Sequence, residues 1–113
     1  MPHRKPYFEH GKNYFVLIKP GPESIFVEEL TAIPSLEKLQ EGVGGSIEII
    51  PHFKTILSRS CVAFCNEEGK LNGLPLNQAA NMLWRSNAGH ALHDFLCGPV
   101  VIIVGSPSFL ARL

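Results

Sequence analysis

The residue types that most often bind metals or act as nucleophiles occur together in one short segment, HALHDFLC. On a helix, His90, His93 and Cys97 would share one face, because residues three and four apart are neighbours. Cys61 and Cys65 could complete a zinc site, since zinc prefers histidine nitrogen and cysteine sulfur. The Cys-x2-Cys spacing of many structural zinc sites is absent, and glycines bracket the segment. We therefore predict no bound metal and keep His90, His93 and Cys97 as the alternative ligands.

Covalent catalysis is the other chemistry that this segment suggests. Cys97 follows His93 by four residues, but a nucleophile and its base usually meet through the fold rather than through local sequence. The serines lie in no nucleophile-elbow pattern. The glycine-rich GVGG precedes a strand instead of opening a helix, which excludes a phosphate cradle. The sequence favours a non-enzymatic protein without a cofactor, and a metal- or thiol-dependent enzyme is the weakest alternative.

Residues 66 to 77, NEEGKLNGLPLN, are polar and carry a different chemistry. Their amides could donate to and accept from a base or ribose, a nearby cation could bind phosphate, and an aromatic ring could stack. The candidate residues for a small nucleotide-like ligand are Asn66, Lys70, Asn72, Asn77, Trp84 and Arg85.

Backbone geometry offers a competing interpretation of the same stretch. NEEG suits a tight turn with Gly69 at positive φ, and KLNGL suits a short return strand. Asn77 can cap the helix that follows, because an asparagine there satisfies unpaired helix amides. Capping is the favoured role for Asn77, with ligand reading kept as the alternative.

Composition limits the class of protein that carries these residues. The chain has 113 residues, with 10 Lys and Arg against 10 Asp and Glu. That length suits one domain, and the zero formal charge gives no general attraction for nucleic acid. Three cysteines without an apolar leader predict free thiols in a reducing cytoplasm. No apolar run is long enough to span a bilayer, and near-neutrality slightly favours a homo-oligomer.

Hydrophobic periodicity predicts the elements that must position the candidate residues. Ser35 is expected to cap the first helix, and the glycines after residue 41 to end it. The second helix is expected to face Ala79, Met82, Leu83 and Ser86 inward and to be broken at Asn87 and Gly89. The last strand, fully apolar, should lie centrally with both faces covered. We predict an α+β fold: a single domain with a mostly antiparallel sheet of about five strands and two helices. The predicted strands are 14–19, 24–30, 46–51, 55–66 and 100–104, and the predicted helices are 35–41 and 78–86. The predicted domain limits are a basic N-terminal arm over 1–13, a compact domain over 14–105 and a C-terminal tail over 106–113.

Three motifs in order, GGSIEIIP, NEEGKLNGLPLNQAA and GPVVIIVG, resemble a domain-of-unknown-function family of small phage and mobile-element proteins. The resemblance covers residues 14 to 105. Asn81 departs from the family's common threonine, and Pro99 from a frequent acidic residue. The matching residues are Gly45, Ile47, Glu48, Asn66, Glu67, Gly69, Lys70, Gly73, Leu74, Pro75, Asn77, Ala80 and Gly98.

The resemblance implies a setting rather than an activity. Small mobile-element proteins of this kind often act against host defence, so we expect a counter-defence protein in the host cytoplasm. The first hypothesis is sequestration of a small nucleotide-like signal. The alternative is a protein-interaction module whose edge strand or basic N-terminus binds and inhibits a host protein.

Overall fold

The computed structural model describes residues 8–22, 24–88 and 94–113. Six strands and three helices occur in this part of the chain. The strands are β1 (Asn13–Ile18), β2 (Ile25–Leu30), β3 (Ile47–Ile49), β4 (Thr55–Ile56), β5 (Arg59–Asn66) and β6 (Val100–Val104), and the helices are α1 (Leu36–Val43), α2 (Gln78–Ala88) and α3 (Pro107–Leu110).

The strands form one antiparallel sheet in the order β2-β1-β6-β5-β3, with β4 paired to β5 as a short hairpin. This confirms the predicted α+β class. The additional strand arises because β4 and β5 split the single strand expected over residues 55–66. All five residues of β6 are buried, as expected for an apolar strand covered on both faces.

Alternation along the strands divides the core into two apolar clusters, one on each face of the sheet. On the α2 face, Ile18, Ala63 and Ile102 pack with Trp84 of α2. On the opposite face of the sheet, which we call the α1 face, residues of α1 and α3 pack against the strands. The buried members of this cluster are Phe15, Leu30, Leu39, Val43, Phe64, Val101, Ile103 and Phe109.

Helix α1 begins where its sequence predicts but extends two residues beyond the predicted limit of 41. The hydroxyl of Ser35 accepts a hydrogen bond from the Lys38 amide at 3.1 Å, and Gly44 closes the helix at φ +80°. Gly42 lies inside the helix instead of ending it. A Cβ at that position would approach Cγ2 of Val101 to 2.5 Å, so glycine permits α1 to lie close to the sheet.

The turn after β5 differs from its prediction in two ways. Residues 70–74 form consecutive turns, not a strand, because their amides bond back to nearby carbonyls, as Leu74 does to Gly69 at 3.0 Å. Gly69 is not among the positive-φ glycines, whereas Gly73 adopts φ +65°. Gly69 is needed for space: a Cβ there would come within 2.8 Å of the Cys97 carbonyl oxygen.

Helix α2 buries a different face from the one predicted. Ala80, Asn81 and Trp84 are buried, whereas Met82 is 70% exposed. Ala79 and Leu83, predicted to face inward, are partly buried against the core, whereas Ser86 is exposed. The buried Asn81 thus rotates the inward face by about one residue. Asn87 was expected to help end the helix but lies within it, one residue before its last residue, Ala88.

Residues 106–113, expected as a tail, include α3, and Phe109 in it is buried. His90 and His93 lie outside the described residues. No helix in the described part of the chain is long and apolar enough to cross a membrane.

Candidate functional site

A cavity of about 360 Å³ opens beside the end of β5, and we call it the Lys70 cavity. Four separate parts of the chain form it: β3 and the residues after it, the end of β5 with its turn, α2, and the segment that leads into β6. Its lining residues are Glu48, Ile50, Pro51, Cys65, Asn66, Glu67, Gly69, Lys70, Leu71, Trp84, Asp94, Phe95, Leu96 and Cys97. Of the six predicted ligand-binding residues, the fold brings Asn66, Lys70 and Trp84 to this cavity.

Lys70 makes two contacts at the rim of the cavity. Its ammonium forms an ion pair with Asp94 and lies 4.5 Å from the centroid of the Phe95 ring. Both side chains of the ion pair are about half exposed, and the Phe95 side chain is 46% exposed. A partly exposed pair of this kind contributes little to stability, so Lys70 can exchange these partners for a ligand at small cost.

The position of Asp94 is fixed from two directions. Its carboxylate accepts from the Lys70 ammonium and from the Phe95 amide, the latter at 2.8 Å. The hydrogen bond from Lys70, followed by that from the Phe95 amide, lowers the pKa of Asp94. Asp94 therefore stays ionised at any pH near neutrality and keeps its charge at the rim.

The charges that line the cavity favour a ligand that donates hydrogen bonds over an anionic ligand. Three carboxylates, those of Glu48, Glu67 and Asp94, line it against the single ammonium of Lys70. Nearby like charges repel, so this lining opposes a ligand that carries several phosphates. It suits a ligand that donates hydrogen bonds from amino or hydroxyl groups.

The floor of the cavity is apolar and rigid. Trp84 is 2% exposed, and its indole N–H donates to the Pro51 carbonyl at 2.7 Å. Ile50 and Leu96 are also buried at this floor. Trp84 was predicted as a stacking ring, but it is almost fully buried, and the exposed ring at this site is that of Phe95.

Asn66 holds the turn that carries Lys70. Its amide nitrogen donates to the Val43 carbonyl at 3.1 Å, and its side-chain oxygen accepts from the Glu68 amide at 2.8 Å. These bonds join the end of α1 to the turn and fix where the turn begins. Asn66 thus positions Lys70, while its own side chain is already bound within the protein.

The other three predicted residues lie away from the cavity lining. Asn77 is fully buried: its nitrogen donates to the carbonyls of Ile18 and Gly98, both at 2.9 Å, and its oxygen accepts from the Ala80 amide at 3.1 Å. That is the capping role favoured from the sequence. Asn72 and Arg85 are exposed on the surface.

Metal and thiol chemistry find little support in the described residues. No group of three or more histidine, cysteine, aspartate or glutamate side chains is placed there to hold a metal ion. Burial raises the pKa of Cys61 to about 12, and burial with the nearby Glu48 raises that of Cys65 to about 11. Both thiols are therefore protonated and unreactive near neutral pH. Cys97 lines the cavity and is half-buried.

A larger cavity, about 720 Å³, lies at the other end of β5 between Arg59 and Arg112. The Arg59 guanidinium there donates to the carbonyls of Glu9 and Lys12, at 2.7 and 2.8 Å. Its donors thus serve the protein's own backbone, and the cavity is the weaker candidate.

Among the charged and aromatic side chains of the Lys70 cavity, sequence reasoning missed four: Glu48, Glu67, Asp94 and Phe95. Asp94 follows Lys70 by 24 positions, and no local spacing connects them. Glu48 enters through the β3–β5 register, in which it lies opposite Cys65. Its place in the cavity therefore follows only from the pairing of β3 with β5. Phe95 lies within the segment HALHDFLC, in which the histidines and the cysteine, not the aromatic ring, suggested a binding role.

Comparison with known proteins adds one relationship. The family model described as "Domain of unknown function (DUF3846)" matches residues 12–108, a span that contains the whole lining of the Lys70 cavity. No curated protein matches the chain, and no solved structure does.

Proposed function

The chain belongs to the DUF3846 family, and we propose that it is a non-enzymatic protein that binds and sequesters a small nucleotide-like ligand in the Lys70 cavity. One observation carries this proposal. An exposed aromatic ring, Phe95, lies 4.5 Å from an ammonium, Lys70, at the mouth of a cavity with an apolar floor. A few polar groups converging on an apolar pocket are typical of small-molecule sites.

Each wall of the cavity would contact a different part of such a ligand. The Phe95 ring offers a face for a base, since aromatic rings stack with a gain of about 1 kcal/mol or more. Glu48 and Glu67 would accept hydrogen bonds from amino or ribose hydroxyl groups. Lys70 would leave Asp94 to bind one phosphate or a polar edge of the base.

Charge and volume restrict the ligand further. Because three carboxylates surround the one lysine, affinity should fall with each phosphate that the ligand carries. The volume of about 360 Å³ lies near the lower limit of ligand pockets, which start at roughly 300 Å³. A nucleoside, a cyclic mononucleotide or one half of a cyclic dinucleotide meets both conditions better than a nucleoside triphosphate.

Sequestration explains how a small protein without turnover could matter. We place it among phage and mobile-element accessory proteins that act in the host cytoplasm against defence systems with a nucleotide signal. A signal at micromolar concentration requires a dissociation constant of that order, about −8 kcal/mol of binding free energy. Phe95, Lys70 and the two glutamates are the residues that would supply it.

The experiment is a thermal-shift and calorimetric screen with adenosine, guanosine, cyclic mononucleotides, cyclic dinucleotides, ADP-ribose and ATP. A ligand at about 100 times its dissociation constant stabilises the folded state by about 2.7 kcal/mol. For a chain of this length that is a rise on the order of 10 °C in melting temperature. We expect the rise with a nucleoside or a singly charged nucleotide and the smallest effect with ATP.

Two lysine variants form the matched control. Lys70→Ala should abolish the shift, whereas Lys54→Ala, an exposed lysine outside the cavity, should keep it. A Phe95→Leu variant keeps apolar volume but removes the ring, and it should weaken binding at least tenfold. If no member of the panel binds, or if Lys70→Ala binds as well as the wild type, the proposal is wrong.

A protein-interaction module that binds a host protein is the second candidate function. The observation in its favour is the edge strand β2, in which Ile25, Phe26 and Val27 are each more than half exposed. A host protein recovered in stoichiometric amount by the wild type, and lost with Val27→Lys, would support this candidate over ligand binding.

A further inference from the structure

Edge strand β2 exposes apolar side chains on both faces of the sheet. Ile25, Phe26 and Val27 are 56%, 54% and 55% exposed. In the described part of the chain β2 pairs only with β1, so its second edge offers unpaired backbone groups. Native proteins usually protect such an edge with charged side chains, proline or a bulge. In β2, IFVEEL, the charges are confined to Glu28 and Glu29. The first half of the strand has neither charge nor proline, and the pairing of β2 with β1 is continuous over six residues.

The apolar surface continues from β2 onto neighbouring residues of the α2 face. Leu76 is 50% exposed and Met82 is 70% exposed, and both line a shallow cavity of about 680 Å³ together with Ile25. A contiguous set of exposed large apolar residues on a small domain marks an interaction surface. Leu76 and Met82 thus extend the exposed apolar set beyond the strand itself.

Backbone geometry decides how another strand can join this edge. The Lys19 amide bonds to the Ser24 carbonyl at 2.8 Å, so Ser24 directs its peptide groups towards β1. In an antiparallel pair these directions alternate. Ser24, Phe26 and Glu28 therefore bond to β1, and Ile25, Val27 and Glu29 direct their N–H and C=O groups outward.

We propose that β2 pairs antiparallel with β2 of a second copy of this chain, about a two-fold axis at Phe26. The outward groups of Ile25 in one copy then bond to those of Val27 in the other, and the two Phe26 rings lie side by side. All three exposed apolar residues of each strand meet apolar residues. Aromatic and β-branched cross-strand pairs are among the most favourable in sheets.

Charge supports the same register. Lys19 lies opposite Ser24 on β1 and has its ammonium 5.5 Å from the Phe26 ring centroid, so it is on the face that also carries Glu28. In the dimer, Ser24 of one copy lies opposite Glu28 of the other, two strand spacings or about 10 Å from Lys19. A lysine and a glutamate side chain together can cover that distance. Glu28 already pairs with Lys38 of its own chain at 2.9 Å, so Lys19 of the other copy would be a second cation for this carboxylate. Because of the two-fold axis, the attraction between Lys19 and Glu28 occurs twice in the dimer.

Backbone direction also allows an axis at Ile25, Val27 or Glu28. The axis at Val27 places Phe26 opposite Glu28 and Ile25 opposite Glu29, so only Val27 meets an apolar residue. The axis at Glu28 sets two carboxylates against each other, and the axis at Ile25 leaves Phe26 opposite Ser24. The axis at Phe26 is therefore favoured. A strand of different sequence would gain the backbone bonds but not the matched side chains, and so a second copy is the partner that this edge fits.

Light scattering during gel filtration and engineered cysteines test the proposal together. We expect the wild type at micromolar concentration to have twice the 12.5 kDa mass of one chain, and Phe26→Lys and Val27→Lys to be monomers with an unchanged circular dichroism spectrum. Both residues are exposed, so neither change should prevent folding. Under mild oxidation Phe26→Cys should form an intermolecular disulfide in most of the protein, since its two copies would be about 4.5 Å apart at Cα.

The controls fix the register and the outcome. The wild type measures crosslinking through its own three cysteines, and Val27→Cys crosslinks more than Phe26→Cys only if the axis is at Val27. A monomeric wild type, a dimer that survives Phe26→Lys and Val27→Lys, or preferential crosslinking through Val27→Cys would each overturn the proposal. Ligand binding by Lys70 does not depend on it, so the two can fail separately.

Discussion

The asparagines of α2 and the side chains around Lys70 are both polar and near each other in sequence, yet the protein uses them differently. Asn77 and Asn81 are buried. The side-chain nitrogen of each donates to two backbone carbonyls, and the side-chain oxygen of each accepts from a backbone amide. Lys70 and Asp94 are half exposed and hold each other across the rim of a cavity. The first group is committed to the fold, whereas the second can still bind something else.

The comparison shows why residue type alone misleads. An asparagine can read a base or bind its own backbone with the same atoms. What separates the two uses is whether a carbonyl or amide of the chain needs a partner nearby. Around α2 many do: the end of β1, the Leu96 segment and the β4 hairpin each present backbone groups that an asparagine satisfies.

The largest expected effect comes from Asn77→Ala. The change removes the cap of α2, worth about 1 kcal/mol, and leaves the carbonyls of Ile18 and Gly98 without their donor, at about 1–3 kcal/mol each. We expect the free energy of unfolding to fall by about 3 kcal/mol or more, measured by urea denaturation. Asn72→Ala, an exposed asparagine of the same stretch, is the matched control and should change it by less than about 0.5 kcal/mol.

A smaller effect is expected from Asn87→Ala. The Asn87 oxygen accepts from the amides of Lys54 and Thr55 and from the Thr55 hydroxyl, and its nitrogen donates to the Thr55 carbonyl. These groups are partly exposed, so water can replace the asparagine in part. We expect a loss of about 1–2 kcal/mol. Hydrogen exchange should quicken at Lys54 and Thr55 before it does elsewhere; unchanged protection of those two amides would contradict this account of the hairpin.

The smallest effect on stability should come from Lys70→Ala, although its effect on binding should be the largest. The Lys70–Asp94 pair is half exposed, and such pairs contribute about 0–1 kcal/mol. The free energies of unfolding of the variant and the wild type, measured by urea denaturation, should therefore agree within about 1 kcal/mol. A loss comparable with that of Asn77→Ala would place Lys70 with the structural residues and remove the distinction between the two regions.

The sequence predicted the fold better than the site. Strand periodicity gave the sheet and the central position of β6, and Ser35 and Asn77 marked the starts of two helices. These features depend on local spacing or burial. The α2 register was wrong because a buried asparagine, Asn81, behaves as a core residue when all its polar atoms are bonded, which hydrophobic patterning cannot detect.

The site depended on contacts that only the fold creates. Lys70 was predicted from the sequence as a ligand-binding residue, and it does line the cavity. Its partners Asp94 and Phe95 come from a segment 24 and 25 positions further along the chain. Glu48 joins them through strand register. No local pattern joins such residues, so side-chain chemistry had to be assigned from the assembled walls of the cavity.

Nitrogen-15 NMR of the labelled protein during titration with the best ligand of the nucleoside panel tests the central claim most directly. The account predicts saturable shifts concentrated in the amides of residues 66–71 and 94–97, with those of Asn77 and Asn81 nearly unmoved, and their loss in Lys70→Ala. Shifts concentrated around Arg59 and Arg112 instead, or none with any member of the panel, would contradict it.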